Sequence, residues 1–385
     1  MKTALKILSS VLVLIALVVL SSCWVYRPEP MPEGSVSAAR LAPGPWTVAE
    51  FEETFVDRSR PTQANEDFEG APDRSMKGDV WYPSEAEAGA SPLLVFSHGF
   101  TSVAENGRYL AEHLASHGFV VVAVDYPLTN MSAPGGPMLE DVAFQPGDVS
   151  FLIDTLSGYS AVAGHELSGK VDTNLIGVFG ISLGGLTSTL VGYHPRWRDP
   201  RVDAVLSIAG PTSFFTPAFF ETADPDFLML AGEVDALVPF ASNAAPIPEK
   251  VPGSIVVSIA DGSHTGFSGG TRWLQWMDNT DSLGCYSVMN NIEEGDEDDW
   301  SDLLGTAEEG INADVPNELC LVDPLPDALN PVRQQMIATL AIRAFFEQSL
   351  LDEGARRSEA ESFLKTGLAA DVPEVTIVVS PEPDF

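Results

Sequence analysis

Residues 175–186 read Leu175-Ile176-Gly177-Val178-Phe179-Gly180-Ile181-Ser182-Leu183-Gly184-Gly185-Leu186. An apolar run of strand length enters a G-x-S-x-G pentapeptide and leaves into an apolar, helix-like stretch. A chain that reverses so sharply from strand to helix forces the central serine into a strained backbone conformation. The residues two before and two after it must then be small, and Gly180 and Gly184 meet that demand, with Gly185 adding room. The context therefore predicts a nucleophile elbow centred on Ser182.

Working outward, the same alternation of apolar run and helix recurs on both sides. Continuous apolar runs at 93–97, 120–125, 202–209, 227–232 and 254–259 have the character of strands buried on both faces. A strand at 77–82 ends at Pro83. Between these runs, 106–117 carries Leu110 and Leu114 on one face before Gly118. Val149, Leu152, Ile153 and Leu156 follow a helical period behind Asp148, read as an N-cap. A last helix begins at Pro331, a residue suited to a first helical position. The pattern predicts an α/β fold with a mostly parallel central sheet covered by helices on both faces.

A serine at its ordinary pKa is a poor nucleophile and needs an imidazole base. The chain has six histidines. His113 and His117 fall in a helix, His165 and His194 in polar connections, and His98 before Ser182. His264, in Asp261-Gly262-Ser263-His264 just after the last apolar strand, is left as the base. An acid between Ser182 and His264 should orient the imidazole. Asp235 fits, directly beyond the strand at 227–232, with Glu233 as its rival. For the developing oxyanion, the amide of Leu183 follows the nucleophile, and Phe100 in Ser97-His98-Gly99-Phe100-Thr101 offers the second.

Gly99-Phe100-Thr101, Leu114-Ala115-Ser116-His117-Gly118-Phe119-Val120-Val121 and Gly180-Ile181-Ser182-Leu183-Gly184-Gly185 together resemble the cutinase-like bacterial polyester hydrolases and their relatives. Those relatives include dienelactone hydrolases and platelet-activating-factor acetylhydrolases. Phe55-Val56-Asp57-Arg58-Ser59-Arg60-Pro61 and Val80-Trp81-Tyr82-Pro83 look more like the acetylhydrolase branch. The resemblance covers roughly 51–269 and the final helix. It implies the α/β-hydrolase fold, a Ser182, Asp235, His264 triad, oxyanion amides from Phe100 and Leu183, and hydrolysis of a carboxylic ester through an acyl-enzyme. No metal or organic cofactor is needed for that chemistry. Two departures bear on substrate. The polyester hydrolases usually have a His where this chain has Ile181, and an aromatic platform where it has Gly210-Pro211-Thr212. Both argue against an aromatic polymer, and the substrate reading is a short or medium acyl ester, with a phospholipid-type or polyester-type ester as variants. A catalytically silent surface-binding lipoprotein is the reading from a different class, and the complete Ser, Asp and His set argues against it.

The ends of the chain carry other signals. Lys2 and Lys6 precede an apolar run at 7–20, too short for the roughly 20 residues of a spanning helix, so 1–22 reads as a signal peptide. Leu20-Ser21-Ser22-Cys23 resembles the bacterial lipobox, in which Cys23 is diacylated. That implies an extracytoplasmic protein anchored to the membrane, the outer one in a Gram-negative host. Residues 23–50 are rich in Pro, Gly, Ser and Ala without a period and read as a flexible tether, with the catalytic domain at 51–385.

The 55 acidic and 20 basic residues give a formal net charge of -35, which disfavours nucleic acid as a partner. After Cys23 only Cys285 and Cys320 remain, and an even pair in an oxidising compartment reads as a disulfide. They close an acidic insertion at about 270–330 that contains Glu293-Glu294-Gly295-Asp296-Glu297-Asp298-Asp299. The insertion reads as a lid or as a solvated loop. Its carboxylate density would suit calcium, but the spacing lacks an EF-hand pattern, so no metal is expected.

Overall fold

The computed structural model describes residues 26–84, 91–292, 303–316 and 318–381. The leader, Cys23 and the acidic run at 293–299 lie outside the described residues. No described helix is long and apolar enough to cross a membrane.

Among the described residues nine strands form one sheet in the order β1-β2-β4-β3-β5-β6-β7-β8-β9. They are β1 (Val48–Asp57), β2 (Arg74–Pro83), β3 (Ser91–Ser97), β4 (Val120–Val124), β5 (Val171–Ile181), β6 (Ala204–Ile208), β7 (Asp226–Gly232), β8 (Ile255–Ile259) and β9 (Val375–Val379). The six from β4 to β8 run parallel, and β1, β2 and β9 pair antiparallel at the edges. The parallel centre is what continuous apolar runs predict. The antiparallel edge strands β1 and β9 were not legible, because their residues are only partly buried and mix polar with apolar side chains.

Alternation along the strands splits the core in two. Leu93 and Val95 point into one apolar cluster, Leu94 and Phe96 into the other. On the first face lie α3 (Gln145–Ala161) and α4 (Leu183–Tyr193), through Val149, Leu152, Leu156, Leu186 and Leu190. On the second lie α2 (Arg108–Ser116) and α6 (Pro331–Leu350), through Leu110, Leu114, Leu340 and Phe346. Each fully buried Leu or Phe contributes about 1.5–3 kcal/mol. Asn330 caps α6, its side chain accepting from the Val332 and Arg333 amides, and Pro331 takes the first helical position.

Two expectations are corrected. Asp148 is not an N-cap: α3 starts at Gln145, and Asp148 is buried in its first turn. It pairs with Arg74 at 2.6 Å and with Arg60 at 2.6 Å, while Arg74 also holds Asp141 at 2.9 Å. A buried carboxylate persists where a cation reaches it, and Arg74 comes from β2, far away in sequence. The part of the tether described here, from Tyr26 on, is folded. Helix α1 (Val36–Leu41) is capped by Ser35, Met31 is buried, and Arg40 forms an ion pair with the buried Glu347 of α6. Its anchors lie some 300 positions downstream, beyond the reach of any local pattern.

The insertion is also more than a solvated loop. Helix α5 (Asp281–Met289) packs within it, and Cys285 and Cys320 form the expected disulfide at 2.06 Å. Leu304 and Ile311 enter the core, and Ile311 bridges to Phe215.

Candidate active site

Ser182, Asp235 and His264 follow β5, β7 and β8, so all three sit at the carboxyl edge of the parallel strands. That edge is where loops of an open α/β sheet converge on a ligand.

At the elbow Ser182 has φ 58 and ψ −121, a strained region for a residue with a side chain. Its amide donates to the Ile208 carbonyl at 2.7 Å, and its own carbonyl accepts from Gly185 and Leu186. The glycines are obligatory for close approach. A Cβ on Gly180 would stand 2.4 Å from Gly184, and one on Gly184 would stand 2.0 Å from the Ser97 carbonyl oxygen.

The loop after β3 rests against this turn. The Cβ position of Gly99 is 3.2 Å from the Ser182 Cβ and 3.8 Å from its Oγ. Phe100 follows, nearly buried, and Thr101 holds a positive φ of 56. Leu183 opens α4, where the first amides of a helix have no intrahelical acceptor. His98 turns out to serve this loop. Its Nε2 accepts from the Tyr126 amide at 3.0 Å, which leaves the proton on Nδ1, donated to the Gly99 carbonyl at 2.7 Å. Burial pushes His98 below its ordinary pKa, in keeping with a neutral ring.

The His264 Nδ1 meets Asp235 Oδ2 at 2.8 Å, with both side chains almost fully buried. The other Asp235 oxygen accepts from the Leu237 and Val238 amides at 2.9 and 2.7 Å. The rival Glu233 points away, accepting from Ser258 Oγ at 2.7 Å. Burial alone would lower the His264 pKa. The Asp235 carboxylate and, beyond it, Asp281 outweigh that and hold the imidazole above its ordinary 6.5. Burial moves Asp235 upward, against the pull of His264.

Sequence reasoning missed Asp281 and Gln334. Gln334 on α6 clamps the His264 loop, accepting from the Ser263 amide at 3.1 Å and donating to its carbonyl at 2.7 Å. Only the run Asn279-Thr280-Asp281, polar residues before Leu283 and Val288, hinted at a helix start there. His194, read as lying in a polar connection, is instead buried and bonded to the Leu304 carbonyl at 2.7 Å. Among the described residues no cluster of His, Cys, Asp and Glu side chains is arranged to hold a metal ion.

Strand order, elbow and buried His–Asp pair place the molecule among the α/β-hydrolases. Within that class the chain belongs to the PET hydrolase-like family, whose profile matches residues 71–278, more than half of its length. It is 28% identical over 234 residues to the bis(hydroxyethyl) terephthalate hydrolase of Streptomyces coelicolor, covering 60% of this chain and 62% of that relative. The matched region thus spans less than two thirds of the Streptomyces protein. Cutinase est1 of Thermobifida alba is 24% identical over 264 residues, 68% of this chain and 74% of the relative. Cutinase 1 of Thermobifida cellulosilytica is 25% identical over 212 residues, 55% and 70% respectively.

Proposed function

We propose that the protein is a serine carboxylic ester hydrolase working through an acyl-enzyme. The observation that carries this is the strained Ser182, on the same sheet edge as the buried His264–Asp235 pair. His264 takes the Ser182 proton as Oγ attacks the ester carbonyl, and Asp235 holds the ring and stabilises its charged form. The amides of Leu183 and Phe100 receive the oxyanion; loss of one such donor costs about 100-fold or more in rate. Release of the alcohol, aided by the His264 proton, leaves Ser182 acylated, and a water activated by His264 returns the free acid and the serine.

The substrate reading is a short or medium acyl ester. Ile181 beside the nucleophile and Gly210-Pro211-Thr212 in place of an aromatic platform support it. Hydrolysis of p-nitrophenyl esters of rising acyl length tests it: kcat/KM should fall beyond butyryl, and a maximum at long acyl chains would overturn it. A polyester-type substrate is the second reading. It is favoured by the relatives' names and by exposed aromatics after His264, with Trp273 79% and Tyr286 72% exposed. The lipobox supports an extracytoplasmic protein held by acylated Cys23. A Cys23→Ala chain that still incorporates labelled fatty acid would refute that anchor.

A further inference from the structure

Asp281, which the triad chemistry leaves without a role, is hydrogen-bonded to the loops of both the acid and the base. Its side chain is completely buried at the start of α5, just beyond the residues that match the family. Oδ2 accepts from the Ala236 amide at 3.1 Å and from the His264 amide at 3.0 Å. Oδ1 accepts from the Thr265 amide at 2.8 Å and from Thr265 Oγ1 at 2.9 Å. One carboxylate therefore joins the residue after Asp235 to His264 itself and to the residue after it.

Its own placement is firmly built. The Asn279 side chain accepts from the Asp281 amide at 2.8 Å and donates to the Pro326 carbonyl at 2.9 Å. Gly284 lets α5 lie on the base loop, since a Cβ there would stand 2.5 Å from the Thr265 methyl. One turn past Asp281, Cys285 is bonded to Cys320, whose amide donates to the Ala236 carbonyl at 2.7 Å. Toward the far end of the helix, Ser287 Oγ lies 2.9 Å from Oγ1 of Thr101, the residue that follows Phe100 in the chain. The strap thus touches the acid loop, the base loop and the oxyanion loop.

We propose that Asp281 is a positioning residue, delivered by this disulfide-tied strap, that locks the Asp235 and His264 loops in one register. The proposal rests on the triad reading above. Its carboxylate is held by amides and a hydroxyl, with no Lys or Arg ion-paired to it among the described residues. The charge left uncompensated adds to that of Asp235 when His264 becomes an imidazolium. The charged groups bearing on the His264 ring are Asp235, from the loop after β7, and Asp281, from α5. From α6 the base loop meets the uncharged Gln334 and Gln335.

The experiment compares the wild-type chain with Asp281→Asn, Asp281→Glu and Ser182→Ala, measuring kcat, KM and the pH dependence of kcat/KM on p-nitrophenyl acetate. For Asp281→Asn, kcat should fall about 10- to 100-fold, the cost of loosening a reacting geometry, while KM changes little. The acid limb should move to lower pH, because removing a negative charge makes His264 harder to protonate. A residue that merely supports the fold would lower the melting temperature and leave that limb in place. Asp281→Glu keeps the charge and displaces the carboxylate, so kcat should fall with the limb unmoved. That variant carries the test if the asparagine chain does not fold, and a wild-type kcat in it overturns the proposal. An inactive Ser182→Ala alongside an Asp281→Asn chain with wild-type kcat and acid limb also overturns it, while sparing the triad. Hydrolysis retained by Ser182→Ala would instead sink the triad and the proposal with it.

Discussion

Ser182 and Asp281 lie on the same edge of one sheet, yet opposite means bring them there. Around Ser182 the chain is apolar strand, glycine turn and apolar helix, with β5 buried from Ile176 onward and α4 buried throughout. Around Asp281 it is polar loop and a half-exposed helix whose Leu283 and Tyr286 face solvent. Close packing fixes the first, where added volume meets backbone. Hydrogen bonds from backbone amides and a covalent crosslink fix the second, where the polar partners of one buried carboxylate set the position. Ser182 is thereby part of the fold's core. The His264 and Asp235 loops are clamped by a later segment of chain.

One variant from each region sharpens that contrast. Gly184→Ala has the larger expected effect, since the new methyl would sit 2.0 Å from the Ser97 oxygen and 2.8 Å from the His98 oxygen, both backbone atoms. A loss of more than about 4 kcal/mol, or failure to fold, is expected, and a denaturant midpoint close to wild type would show that the elbow is not packed as described. Replacing Cys285 and Cys320 together with Ser opens a loop of 35 positions and should cost less, about 3 to 4 kcal/mol. The sheet should still fold, with turnover of bulky esters changed more than turnover of acetyl esters. If the double variant instead unfolds as completely as Gly184→Ala, the two regions are not independent and the comparison fails.

The same contrast explains what could be read from the sequence. The elbow, the five central apolar strands and the helix at Pro331 announce themselves through period, glycine spacing and capping, all local signals. So does the candidate triad, because strand ends put Asp235 and His264 in reach of each other. Position beyond a strand favoured Asp235 over its rival Glu233, and in the fold Asp235 meets His264 while Glu233 turns toward Ser258. The Arg74–Asp141–Asp148 cluster, the docking of α1 through Arg40 and Glu347, and the amide cage of Asp281 were all invisible. Each joins segments remote in sequence through polar groups, and no local period encodes such a pairing. The disulfide was legible only by counting cysteines, and its consequence, a strap across three active-site loops, required the fold.

The central claim is that Ser182 is a nucleophile activated by His264. A fluorophosphonate probe, followed by digestion and mass mapping, tests it most directly, with a His264→Ala chain run beside the wild type. The account predicts a single phosphonate adduct on Ser182, and labelling slowed by several orders of magnitude without His264, because triad members act as a unit. An adduct on another residue, or equally fast labelling in a folded His264→Ala chain, would contradict it.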